Sequence, residues 1–187
     1  MLPHPAIGEI VAVIHPEDSA LFEQSASGFD SRVRPVFGGA TRQASTLLGL
    51  RALAGSSPEY VMIHDAVRPF ISRPLLDRIA SRLTIEAGVV PALAVAETIK
   101  RQDSQGLVSE TVPRAGLYAA QTPQAFPFRL ILQAHERALA QSDQEFTDDA
   151  IGGYLSANRF NALIASDAFD PLGMGQGEGV AALRPAV

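Results

Sequence analysis

Cysteine is absent from the 187-residue chain, so neither a disulfide framework nor a thiolate metal site can exist. That fits a reducing compartment. Lysine is almost absent: fourteen of the fifteen basic residues are Arg, and Lys100 is the exception. No apolar run approaches the roughly 20 residues that cross a bilayer. The opening Met1-Leu2-Pro3-His4-Pro5 has neither the basic nor the apolar stretch of a signal peptide. A cytoplasmic location without a membrane partner is therefore expected. The net charge of −5 and the lack of a basic stripe argue against nucleic acid as a partner. There is no Gly-x-Ser-x-Gly elbow and no P-loop ending in GKS or GKT. His4, His15, His64 and His135 show no ligand spacing, so no protein-held metal is expected.

A hydrophobic fraction of 47% with 19% charged residues is ordinary globular composition, and the length suits one domain. Apolar runs at Glu9–His15, Arg34–Phe37, Tyr60–His64 and Gly88–Val95 read as buried strands. Helical patterns separate them. Pro16-Glu17-Asp18 opens one with acids in its first turn. Thr41 N-caps the next, whose Ala44, Leu47, Leu48 and Leu50 form an apolar stripe running to Leu53. Pro74 begins a third, with Leu75, Leu76, Ile79 and Leu83 on one face. This alternation predicts βαβ units and a parallel sheet.

After Val95 the pattern changes. Thr98–Arg101 and Leu107–Thr111 flank a polar loop closing on Gly106, which reads as a hairpin with little to bury in its own domain. Pro127–Leu139 and Asp148–Leu155 read as helices, and Phe160–Ala165 as a short strand. The Gly- and Ala-rich remainder, 166–187, reads as a poorly ordered tail, leaving 1–165 as the domain with an arm at about 97–112.

The chemistry-bearing residues gather at the ends of these strands. In Val61-Met62-Ile63-His64-Asp65-Ala66-Val67-Arg68-Pro69 an apolar strand ends in an acid and a base. In open α/β sheets ligands bind outside the carboxyl ends of strands, which makes Asp65 a candidate, with Arg68 able to pair with it or with an anion. His64 reads as structural. Gly38-Gly39-Ala40-Thr41-Arg42-Gln43-Ala44-Ser45 joins a strand to a helix. Its glycines allow close backbone approach, the helix start offers free N–H groups, and Ser45 and Arg42 add a hydroxyl and a charge. Thr111-Val112-Pro113-Arg114 and Gln121-Thr122-Pro123-Gln124-Ala125-Phe126 read as X-Pro turns, with Arg114 offering a planar fork for phosphate. Phe146-Thr147-Asp148-Asp149 reads as a helix start. Taken singly, each of these segments is as well explained by ordinary turns and caps.

Taken together and in this order, with Ile10–Pro16 and Glu97–Arg101, they resemble the 2-C-methyl-D-erythritol 4-phosphate cytidylyltransferases over roughly Leu2 to Leu155. The resemblance implies an α/β, Rossmann-like, three-layer nucleotidyltransferase fold with a projecting β-hairpin dimerisation arm. It implies transfer of a cytidylyl group from CTP to methylerythritol phosphate, with Mg²⁺ held mainly by the CTP phosphates, in a homodimer. Gly38, Gly39, Ala40, Ser45, Asp65 and Ala66 would line the nucleotide. Asp65, Thr98, Arg114 and Thr147 would bind the second substrate, with Asp65 and Arg114 as the catalytic pair. No counterpart is found for the family's first βα unit with its glycine-rich triphosphate loop. Ser166-Asp167-Ala168-Phe169-Asp170-Pro171 stands where the family carries an Asn-x-Lys-hydrophobic-Thr run. Two expectations follow from these departures: strand edges left unpaired at the centre of the sheet, and, as an alternative function, a non-catalytic remnant or dimer-arm binding module.

Overall fold

The computed structural model describes residues 4–28, 31–84 and 87–140, together with the backbone of two further strands, 160–164 and 178–183. Four strands and three helices follow the expected alternation: β1 (Ile7–Ile14), α1 (Ser19–Ala26), β2 (Val33–Phe37), α2 (Arg42–Leu53), β3 (Tyr60–Asp65), α3 (Arg73–Arg82) and β4 (Gly88–Ala94). Local chemistry sets the helix starts. The Thr41 hydroxyl accepts from the Ala44 N–H at 3.1 Å, and Ser72 caps α3 through the Leu75 N–H with Pro74 in the first turn. Pro16–Asp18 forms a single 3₁₀ turn ahead of α1.

The hairpin is present as β5 (Ile99–Gln102) and β6 (Val108–Val112), a separate two-stranded sheet. Asp103 Oδ1 accepts from the N–H groups of Gln105 and Leu107, both at 2.9 Å. Gly106 closes the turn at φ +83°, a conformation that costs glycine nothing. Leu107 and Val108 are exposed. The chain returns through β7 (Tyr118–Ala120) and β8 (Gln124–Pro127) into α4 (Phe128–Ala140), and β9 (Phe160–Ile164) and β10 (Glu178–Leu183) complete the described strands.

The main sheet runs β2-β1-β10-β3-β8-β4-β7, with β9 also paired to β4. β1 and β2 are parallel, as are β4 and β9. β10 lies antiparallel to both β1 and β3, and β8 antiparallel to both β3 and β4. The parallel frame expected from the alternation is therefore interleaved with reversed strands. Two expectations are corrected here. Gln124–Phe126, read as part of an X-Pro turn, and Pro127, read as the start of a helix, form a fully buried strand. Its Gln124, Ala125 and Phe126 pair with Ile63, Met62 and Val61, and Pro127, at the strand end, is where a missing N–H is tolerated. The unpaired edges expected at the sheet centre are not there either. Residues 178–183, read as tail, are a short run with only Glu178 charged, and they pair on both sides.

Strand alternation sends side chains to two cores. Val11, Val13, Val61, Ile63 and Phe126 meet Leu50 and Leu53 of α2 and Ile131 and Ala134 of α4. Met62, Val89 and Ala125 meet Leu76 and Ile79 of α3 on the other face. A bulge between Ile7 and Glu9 transfers Ile7 to the α3 face. The result is three layers. Among the described residues no helix is long and apolar enough to cross a membrane.

Candidate active site

The parallel strands β1, β2 and β3 end on one side of the sheet, and the turns that follow β2 and β3 form the site. At the first turn the Gly38 N–H donates to the Ile14 carbonyl at 2.9 Å, fastening the loop to the end of β1. Ser45, one turn into α2, folds back. Its Oγ accepts from the Gly39 N–H at 3.1 Å and donates to the Gly39 carbonyl at 3.3 Å. This leaves no room for side chains: a Cβ on Gly39 would stand 2.6 Å from Ala44 Cβ, and one on Gly38 2.8 Å from Ser45 Oγ. Gly39 is demanded by this packing, whatever the loop binds, while at Gly38 the obstacle is a side-chain hydroxyl. Ala40 is exposed at the crest.

At the second turn Asp65 ends β3, partly exposed. Arg42 Nη2, from the first residue of α2, lies 3.5 Å from Asp65 Oδ1. Arg68 Nε lies 3.3 Å from Oδ2. Two guanidinium groups thus meet at the strand ends, beside the helix start of α2, and both are of the kind that recognises a phosphorylated ligand. Arg68 Nη1 also donates to Gln121 Oε1 at 2.9 Å. The Asp65 N–H donates to Thr122 Oγ1 at 3.3 Å, and the Thr122 hydroxyl is 3.0 Å from His64 Nδ1. His64 Nε2 in turn lies 2.8 Å from the Arg68 carbonyl. Burial is the main force lowering the His64 pKa below the ordinary histidine range, opposed by the bond to Arg68 O and by the charge of Asp65.

The structure brings Gly38, Gly39, Ala40, Ser45, Asp65 and Ala66 into these two adjoining turns. Arg114 and Thr98 stand elsewhere in the chain. The Arg114 guanidinium bonds the Ala96 carbonyl at the base of the arm, Thr98 is exposed beside it, and β8 and β4 separate that edge from β3. Thr147 lies outside the described residues. Sequence reasoning did not assign Gln121 and Thr122 to the Asp65 turn. They are more than 50 positions away, and only the antiparallel register of β8 on β3 brings them there. Among the described residues no three His, Asp or Glu side chains are grouped as metal ligands.

A sheet with helices on both faces and an arginine-flanked acid at its strand ends defines a Rossmann-like nucleotidyltransferase fold. The model of the family 2-C-methyl-D-erythritol 4-phosphate cytidylyltransferase matches residues 1–152, and the chain belongs to that family. It is similar to the bifunctional enzyme IspD/IspF of Brucella anthropi, 55% identical over 146 residues, which are 78% of this chain and 36% of the relative. The protein of the same name from Bartonella henselae is 51% identical over 147 residues, 79% of this chain and 37% of that one. The chain thus spans little more than a third of the length of these curated relatives. Among solved structures, the 4-diphosphocytidyl-2C-methyl-D-erythritol synthase of Anaerococcus prevotii superposes with a TM-score of 0.76 at 30% identity, covering 89% of this chain and 72% of that one. The 2-C-methyl-D-erythritol 4-phosphate cytidylyltransferase of Thermus thermophilus superposes with a TM-score of 0.63 at 29% identity, covering 77% and 68%.

Proposed function

We propose that this chain transfers a cytidylyl group from CTP to 2-C-methyl-D-erythritol 4-phosphate, releasing pyrophosphate, in the synthesis of isoprenoid precursors. The observation that carries the reading is Asp65 held between Arg42 and Arg68 at the strand ends, facing the Gly38–Ser45 turn, in a chain of this family. A phosphate oxygen of the acceptor attacks the α-phosphorus of CTP. The new O–P bond forms as the bridge to the β-phosphate breaks, and the electron pair leaves on pyrophosphate. Such transfer depends on positioning and charge neutralisation. Gly38, Gly39, Ala40 and Ala66 present backbone to the nucleotide, Ser45 holds the loop in shape, and Asp65 orients the acceptor and the ribose side.

Mg²⁺ brought in with CTP would supply charge neutralisation on the phosphates. The residue set fits an ion that arrives with the nucleotide, since Asp65 is already engaged by two arginines. The protein works as a homodimer in the cytoplasm. The exposed arm with Leu107 and Val108 on its surface supports association. Thr98 and Arg114 would then reach the neighbouring site, where they and Thr147 bind the acceptor phosphate. The non-catalytic alternative is not favoured, because Arg42, Asp65 and Arg68 stand assembled.

The test is pyrophosphate release by the purified chain with CTP, Mg²⁺ and methylerythritol phosphate, beside Arg114→Ala. Release that disappears in the variant supports the reading, and no release from folded protein overturns it.

A further inference from the structure

We propose that His64 is a positioning residue of the site: a neutral imidazole protonated on Nε2, it ties the turn carrying Asp65 and Arg68 to the loop carrying Gln121 and Thr122. The catalytic consequence rests on the cytidylyl-transfer reading; the hydrogen-bond pattern does not.

The proton assignments follow from which atoms can donate. His64 Nε2 lies 2.8 Å from the Arg68 carbonyl. A carbonyl oxygen only accepts, so Nε2 must carry hydrogen. A neutral imidazole has one N–H, which leaves Nδ1 as an acceptor, and Thr122 Oγ1 at 3.0 Å must donate to it. That commits the Thr122 hydroxyl proton. Its oxygen is then free to receive the Asp65 N–H at 3.3 Å. The chain of bonds runs one way: Asp65 N–H to Thr122, Thr122 O–H to His64, His64 N–H to the Arg68 carbonyl. It begins at Asp65 and ends at the backbone of Arg68, the two residues whose side chains pair at 3.3 Å.

The ring is 5% exposed and sits in a strand flanked by β8 and β10, where Gly179 is its register partner. Burial favours its neutral form, and that is the form this pattern requires. A protonated ring would place a second N–H against Thr122 and reverse that bond. The hydrogen bonds of the His64 ring go to the Arg68 carbonyl and to Thr122, so it acts through Asp65, Arg68 and Thr122.

Single-arm variants test this. In His64→Gln the amide can reproduce the donor at the Nε2 position and not the acceptor; in His64→Asn the carbonyl can reproduce the acceptor at the Nδ1 position and not the donor. His64→Leu removes both. A loose constellation costs up to about 10²-fold, so His64→Leu is expected to lower kcat by about tenfold to a hundredfold with KM for CTP nearly unchanged. Each single-arm variant should fall between it and the native chain. Because the Thr122 hydroxyl acts partly through the ring and partly by accepting the Asp65 N–H, Thr122→Val should lower kcat in the native background and lower it by a smaller factor in His64→Leu. Native kcat in folded His64→Leu, or additive losses, overturns the positioning role.

The tautomer is read without any activity, from the imidazole ¹⁵N resonances of the native full-length chain at neutral pH. The Nε2–H form is expected, and the Nδ1–H or doubly protonated form overturns the proposal even if every variant is inactive. A chain that releases no pyrophosphate while showing the Nε2–H form defeats the functional reading and leaves the hydrogen-bond network standing.

Discussion

The guanidinium of Arg42 stands 3.5 Å from the carboxylate of Asp65, so the first residue of α2 meets the last residue of β3 although β1 and β10 lie between β2 and β3 in the sheet. Asp65 is where the two halves of the site touch. Replacing it by Asn keeps size, removes the charge that orients Arg42 and Arg68, and turns one of the two accepting oxygens into a donor facing a guanidinium. Loss of one preorganised electrostatic group commonly lowers the rate by about 10²–10³, and Asp65→Asn is expected to lower kcat/KM by that order. The thermal midpoint should move little, because all three side chains are partly exposed and such pairs contribute only about 0–1 kcal/mol. Steady-state pyrophosphate release beside a melting curve checks both. Unchanged turnover removes Asp65 from the site.

The glycine turn makes an asymmetric prediction. At Gly39 an added Cβ meets the Ala44 Cβ at 2.6 Å, with the helix backbone behind it. At Gly38 the nearest atom is the Ser45 hydroxyl, which can rotate aside at the cost of its bonds to Gly39. Gly39→Ala must therefore displace the first turn of α2. Overpacking of this kind costs about 1–3 kcal/mol, and CTP affinity should fall at least about tenfold, which corresponds to about 1.4 kcal/mol. Gly38→Ala should be the milder change in both respects. Calorimetric titration with CTP and a urea curve for each variant decide the matter; equal effects would mean that the turn yields as easily at Gly39 as at Gly38.

Stability should fall as the solution is acidified below the ordinary histidine range. His135, buried in α4 at 1% exposure, has its pKa pushed down to about 4, first by burial and then by the charge of Arg42. The unfolded chain takes up this proton near the usual 6.5 while the folded chain refuses it until about 4. Between those values the unfolded state binds more protons, so stability rises with pH, at up to about 1.4 kcal/mol per unit for one such group. His64, lowered in the same direction, acts with the same sign. The test is the denaturant midpoint measured from pH 7 to pH 4 in the native chain and in His135→Leu. The variant should lose a smaller part of its stability over that window, and parallel curves would show that His135 titrates normally in the folded protein.

What could be seen in the sequence follows physical range. Thr41 and Pro74 announce α2 and α3 because a cap and a helix-opening proline act within the first turn, and Tyr60–His64 announces β3 as an apolar, β-prone run. The Asp65–Arg68 pair is also short-range and was legible as a candidate, whereas Ser45 reads in the sequence as a ligand-facing hydroxyl and its closure on Gly39 comes only with the structure. β8 was not legible, because prolines at both ends disguise a strand buried on both faces. Nor was β10, whose one glycine and two alanines blur any period. Gln121 and Thr122 join Asp65 only through the pairing of β8 with β3, a relation that no local spacing encodes. The part assigned to Thr98 came through family resemblance alone, and that of Arg114 beyond a general fitness for phosphate came the same way.

Among the described residues, β10 is the strand that joins β2–β1 to the rest of the sheet by backbone hydrogen bonds. Val180 lies opposite Val11 on one side and Ile63 on the other. A proline there cannot donate to the ladder and leaves a buried acceptor without its partner, at about 1–3 kcal/mol. Threonine at the same position keeps the N–H and the β-branched shape, so Val180→Thr controls for the altered side chain. Val180→Pro is expected to lower the thermal midpoint by several degrees, at about 2–4 °C per kcal/mol for a chain of this size. It should also speed amide exchange in both Val11–Val13 and Val61–Ile63, the two flanks of the seam, while Val89–Ala92 of β4, which does not touch β10 in the sheet, changes less. Since Gly38 hangs from Ile14 at the end of β1 and Asp65 ends β3, loosening the seam should weaken CTP binding as well. Exchange rates in β1 and β3 equal to those of the native chain would mean that Glu178–Leu183 does not hold the sheet together.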